Sequence, residues 1–82
     1  MSNYDIMAVV VNHRTSRSSE LQSVLTQFGC NIKVRLGLHE AGASCSDEGL
    51  VLLQLCGEEK EIDGLHNALN KVSGIRAQRI RI

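Results

Sequence analysis

Apolar positions along this chain switch between two periods, and the order of the switches spells six elements. Residues 4–11 are a nearly continuous apolar run, the pattern of a strand covered on both faces. Residues 12–19 form a polar connection in which Thr15 or Ser16 is placed to cap a helix. Leu21, Val24, Leu25 and Phe28 then recur at helical spacing, with Gly29 where a left-handed C-terminal cap is expected. Ile32, Val34, Leu36 and Leu38 alternate with Lys33, Arg35, Gly37 and His39, which predicts a half-buried edge strand. After a small polar loop over residues 40–49, residues 50–56 make a second apolar run whose one polar member is Gln54. Gly57 opens a second helix. Glu58, Glu59 and Glu61 in its first turn complement the helix dipole, and Ile62, Leu65, Ala68, Leu69 and Val72 form its apolar stripe. Lys71 and Gly74 mark its end, and residues 75–82 are the last strand.

Strand, helix, strand, strand, helix, strand predicts an α+β fold, the ferredoxin-like βαββαβ sandwich. Right-handed crossovers put both helices on one face of a four-stranded antiparallel sheet ordered 4-1-3-2. The two central strands are then apolar on both faces while only one face has helices. An uncovered apolar face wants a partner. If six side chains each lose roughly 60 Å² to that partner, the gain is about 9 kcal/mol at 25 cal/mol/Å², enough for association after its entropic cost. A homodimer or homotetramer is therefore expected, with Val9, Val11, Arg35, Gly37, Leu52 and Gln54 at the interface.

Size sharpens that expectation. Residues 1–82 read as one domain, and a chain so short is marginally stable alone. Nine basic and nine acidic residues cancel, so there is no global pull toward nucleic acid or anionic membrane. Tyr4 and Phe28 are the only aromatics, too few for a base-stacking surface, and direct nucleic-acid binding is not expected. No apolar run approaches the ~20 residues of a membrane span, and the N-terminus lacks the pattern of a signal peptide. Cys30, Cys45 and Cys56 are odd in number and read as reduced thiols of a cytoplasmic protein.

The stretch Arg35-Leu36-Gly37-Leu38, the apolar third strand, the helix with Ile62, Leu65 and Leu69, and the ending Ser73-Gly74-Ile75-Arg76 resemble the small iron-only hydrogenase system regulators. The resemblance spans essentially the whole chain. It implies a stand-alone ACT-like domain, non-enzymatic, acting as a regulator, in one form a transcriptional regulator, linked to hydrogenase assembly or expression. In ACT-like domains the first strand-to-helix connection contributes to the effector site. The resemblance thus points to Asn12, His13, Arg14, Thr15 and Ser16 as contacts for a small-molecule effector, although a glycine typical of amino-acid-binding members is missing there. More distantly, the pattern is similar to the regulatory domain of the nickel-responsive repressor. His39 matches the second histidine of its His-x-His pair, Gly37 stands at the first, and Gly49 falls near its cysteine.

No resident cofactor is read from the sequence. His39 and Cys45 share a loop with Glu40, Asp47 and Glu48, and imidazole plus thiolate suits nickel, zinc or copper. A divalent-metal module is accordingly the alternative function, and a ligand-free protein-interaction domain is a third. Cys30 and Cys56 are expected to pack as small hydrophobes, and His66 to face water. Arg35, Arg76 and Arg79 form a candidate basic stripe, read as solvated or as intersubunit ion pairs. Catalysis finds no Ser-His-Asp or Cys-His spacing, no CxxC pair, and no glycine-rich phosphate loop after the first strand.

Overall fold

A computed structural model describes residues 4–12, 14–38 and 48–82, with side chains for all of these except residues 14–18 and 38. In chain order the elements are β1 (Asp5–Val11), α1 (Arg14–Gln27), a 3-10 turn (Gly29–Asn31), β2 (Ile32–Leu38), β3 (Gly49–Leu55), α2 (Glu59–Asn70) and β4 (Ile75–Arg81). All strand pairings are antiparallel in the order β2-β3-β1-β4, the predicted 4-1-3-2 read from the other edge. This is the ferredoxin-like βαββαβ sandwich.

Strand alternation sends every second side chain to the same face. Met7, Val9 and Val11 of β1, Leu53 and Leu55 of β3 and Ile75 of β4 meet Leu21 and Leu25 of α1 and Ile62, Leu65 and Leu69 of α2 in one buried cluster. The helical stripes read from the sequence supply that core, with Val24, Phe28 and Val72 packed at its margin.

Local signals were less exact. α1 begins at Arg14, so Thr15 and Ser16 fall inside its first turn instead of capping it. Gly29 does not take the left-handed conformation. Among the described glycines, Gly57 and Gly74 are the ones with positive φ. The chain leaves α1 through the 3-10 turn, which brings Asn31 to a buried position. α2 starts on a capping box: the Glu58 side chain accepts from the Glu61 backbone N–H, while Glu61 reaches back to the Glu58 N–H.

A bulge between Ile32 and Val34 decides how β2 is used. Ile32 pairs with Leu55 and packs against the core, whereas Val34 and Leu36 pair with Gln54 and Leu52 on the opposite face. One inserted residue therefore breaks the expected uniform alternation and swaps the faces of everything beyond it.

Candidate functional site

The sheet face away from the helices is open and largely apolar. β1 contributes Ile6, Ala8 and Val10, and β3 contributes Leu50, Leu52 and Gln54. β2 adds Val34 and Leu36, which are 52% and 53% exposed. Tyr4 and Ile82 exchange backbone hydrogen bonds at one corner, extending the patch beside the exposed Ile80. Tyr4, Ile6, Val34, Leu36, Leu52 and Gln54 line a shallow depression of about 190 Å³ on this face. Arg76 and Gln78 add polarity beside Ala8 and Val10.

This placement corrects the residues expected at the interface. Leu52 and Gln54 are on the open face. Val9 and Val11 are on the helix-covered face, 0% and 2% exposed, because the β1 positions that alternate outward are the even-numbered ones. The bulge puts Arg35 and Gly37 opposite Leu53 and Val51, on the helix side. There Arg35 Nη1 donates to Gln22 Oε1 of α1 at 3.0 Å. Ile6, Ala8 and Val10 stand on the open face in place of Val9 and Val11, and Val34 and Leu36 in place of Arg35 and Gly37.

The connection read from the sequence as the effector site starts at one end of the sheet. Val11 pairs with both Gly49 and Ile75, and the Asn12 backbone N–H donates to Gly74 O at 2.7 Å. The β1–α1 connection is thus tied to the α2–β4 turn and lies beside the start of β3. His13, His39 and Cys45 lie outside the described residues, as do the side chains of Arg14, Thr15 and Ser16. Among the described residues, no group of three His, Cys, Asp or Glu side chains could hold a metal.

At the opposite end, α2 is fastened to β4. Arg79 Nε and Nη2 donate to both carboxylate oxygens of Asp5, at 2.8 and 2.6 Å. The same guanidinium pairs with Glu59 and reaches Asp63 at 3.5 Å, and Arg81 adds a 2.9 Å contact to Glu59. The arginines therefore do not gather into a stripe: Arg79 is committed on the helix side, Arg76 lies by Glu48 on the open side, and Arg35 occupies the far edge. The Arg79 hydrogen bonds hold the Asp5 carboxyl below the usual carboxylate range, against the opposing effect of burial. Arg79 bonding likewise lowers Glu59.

A depressed carboxylate stabilises the fold most fully above its unfolded pKa, near 4, and loses that contribution as pH falls through the folded value. Asp5→Asn should accordingly cost about 1–2 kcal/mol at neutral pH, less than a fully buried pair because Glu59 and Asp63 still face Arg79. Urea unfolding should show the gap between variant and wild type closing below about pH 4. A gap constant with pH would mean that the Asp5 charge is not what Asn removes.

His66 does not simply face water. Its Nε2 is 3.0 Å from Ala77 O on β4, and Asn70 both donates to that oxygen and accepts from the Ala77 N–H at 2.8 Å. These side chains close the outer edge of β4 at Ala77, one way of blunting a sheet edge. His66 and Asn70 are four residues apart on α2, and that spacing carries no sign that both reach a backbone. Cys30 and Cys56 are both exposed, contrary to the packed role expected of them.

No helix among the described residues is long and apolar enough to cross a membrane. No protein-family model and no curated protein matches the chain. Solved structures do resemble it in fold. An uncharacterized protein, TM1266 from Thermotoga maritima, superposes over 99% of both chains with a TM-score of 0.81 at 21% identity. The ACT domain from GTP pyrophosphokinase of Chlorobium tepidum covers 98% of this chain and 89% of its own, with a TM-score of 0.69 at 17% identity. CPII, a nitrogen regulatory PII-like protein from Thiomonas intermedia bound to ADP, AMP and bicarbonate, covers 99% and 93%, with a TM-score of 0.62 at 9% identity. The fold is therefore ACT-like.

Proposed function

We propose that this chain is a single, non-enzymatic, ACT-like regulatory domain that self-associates and binds a small effector. The main support is the open sheet face, where apolar side chains of all four strands stand without cover on a chain too small to ignore them. A second copy is the partner argued here, because the face carries little charge beyond Arg76 and the Glu48 paired with it, and so is compatible with itself. By strand spacing the face measures roughly 19 by 24 Å, the scale of one side of a modest interface. Leu52 and Gln54 belong to this interface together with Ile6, Val34 and Leu36.

The effector is assigned to the end of the sheet where Asn12 is tied to Gly74 and α1 begins. Free backbone N–H groups at a helix start suit a carboxylate or phosphate. Fold likeness to a PII-like protein bound to ADP and AMP makes adenine nucleotides the first candidates. A cytoplasmic regulator of the iron-only hydrogenase system is the finer reading, supported by the sequence resemblance over Arg35–Leu38 and Ser73–Arg76. Deleting the gene in a host that makes such a hydrogenase should then alter hydrogenase activity. An unchanged hydrogenase removes that link and leaves the ligand-binding reading intact.

Thermal unfolding in the presence of nucleotides, amino acids and divalent metals tests the binding reading. A ligand at a hundredfold excess over its Kd stabilises the native state by about 2.7 kcal/mol, a rise of roughly 10–20 °C for a domain of this size. Asn12→Ala should remove the rise if the site is placed correctly. A rise with metals alone, lost in His39→Ala, would favour the metal-binding alternative. No rise with any ligand would leave a protein-interaction domain.

A further inference from the structure

Two cysteines that the sequence reading treats as separate packing residues are neighbours at one corner of the sheet. Cys56 follows β3, and Cys30 is in the 3-10 turn before β2. The Cys56 Sγ–H donates to the backbone oxygen of Cys30 at 3.5 Å. Their backbones are clamped together. The Cys56 N–H donates to Asn31 O at 2.9 Å, and Asn31 Nδ2 returns a bond to Cys56 O at 3.2 Å. Both residues are exposed, so a small reagent can reach either thiol.

We propose that Cys30 and Cys56 form a thiol pair that low-molecular-weight disulfides, of which oxidised glutathione is the type, convert reversibly to an intramolecular disulfide. One cysteine thiolate attacks a sulfur of the reagent, the reagent's S–S bond breaks, and one thiolate leaves and takes up a proton. The second cysteine thiolate attacks the resulting mixed disulfide at the protein sulfur. The new S–S bond forms as the second reagent thiolate leaves. The protein loses two protons and two electrons, and the reagent takes them up to become two thiols.

Proximity makes the second step fast, because it is intramolecular between segments already held together. A carbonyl oxygen stands about 2.4 Å from its own Cα by covalent geometry. Cys56 Sγ is therefore within about 6 Å of the Cys30 Cα, and the roughly 2.8 Å from a cysteine sulfur to its own Cα bounds the Cα separation at about 9 Å, a range that contains the roughly 4.4–6.8 Å of disulfides. The link would span the corner where Asn31 holds Cys56 and Glu61, and so bind the β2 entry covalently to the β3–α2 connection. In a reducing compartment such a bond is transient and signals redox state. The assignment is independent of the effector-binding reading.

The test uses the wild-type protein and its Cys45→Ser variant, each incubated with oxidised glutathione and read by intact mass and peptide mapping. Both should lose two hydrogens and yield one cross-linked peptide joining residues 30 and 56, reversed by dithiothreitol. Cys30→Ser should instead hold glutathione on Cys56, with at least tenfold more mixed disulfide than wild type at equal times. A stable mixed disulfide on wild-type Cys30 or Cys56, a link to Cys45, or a link only between two chains would each overturn the proposal.

Discussion

Gly57→Ala is expected to destabilise the fold by about 2–4 kcal/mol, although it adds only one methyl group. Gly57 has φ +104°, a conformation that costs a residue with Cβ on the order of 1–3 kcal/mol. The new Cβ would also stand 2.5 Å from Asn31 Nδ2 and 3.2 Å from Glu61 Oε1. Asn31 has little room to yield. It is buried, and its amide donates to Cys56 O and to Glu61 Oε1 at 3.2 and 2.9 Å. Its backbone N–H and C=O are occupied as well. Moving the amide leaves buried polar groups unpaired, at about 1–3 kcal/mol, and loosens the Glu61 carboxylate that closes the α2 capping box. Equilibrium urea denaturation measures the loss. The Asn31→Ala, Gly57→Ala double variant separates its two sources, because removing the obstructing amide should make the pair less than additive. A Gly57→Ala protein within about 0.5 kcal/mol of wild type would show that neither the backbone strain nor the close approach exists.

That corner also marks where sequence reading stops working. Both helical stripes, both central strands and the sheet order were legible, because each rests on a period sustained over several residues. Leu21 with Leu25, and Ile62 with Leu65 and Leu69, could be placed in the core from spacing alone. The bulge between Ile32 and Val34 was not legible, since an extra residue in one strand is defined by its partner and leaves the local alternation intact. Its consequence was large: Val34 and Leu36 changed faces with Arg35 and Gly37. Val9 and Val11 were misplaced for a related reason. In a continuous apolar run no residue type distinguishes one face from the other, and only the register against β3 and β4 does so. The Asn31, Asn70 and His66 contacts join side chains to backbone across separations of 7 to 25 residues. No pattern in one segment encodes them. For the proposed effector end, the sequence supplied chemistry at residues 12–16. The structure adds that the β1–α1 connection is beside the start of β3, through the pairing of Val11 with Gly49.

Under the proposed self-association, Leu52→Glu should leave a folded monomer, with association weakened at least a hundredfold. Leu52 is central on the open face, paired with Ala8 on one side and Leu36 on the other. In an isolated chain its side chain borders solvent, so a carboxylate there remains hydrated and the fold should persist by circular dichroism. Against a second copy the same carboxylate is desolvated among apolar groups without a counter-charge, at a cost of about 3 kcal/mol or more. That cost corresponds to the hundredfold change in Kd. Asn67→Glu, which places an equal charge on the exposed surface of α2, should leave the oligomer unchanged. Arg35→Glu distinguishes the two placements of the interface. The uncorrected alternation puts Arg35 among the contacts, whereas the bulge turns it toward Gln22 on the helix side. Native mass spectrometry and sedimentation across a concentration series report all three variants. If Arg35→Glu dissociates the protein and Leu52→Glu does not, the copies meet along the β2 edge. If the wild type is already a monomer at high concentration, the open face is not a self-association surface, and the partner it covers is a different molecule.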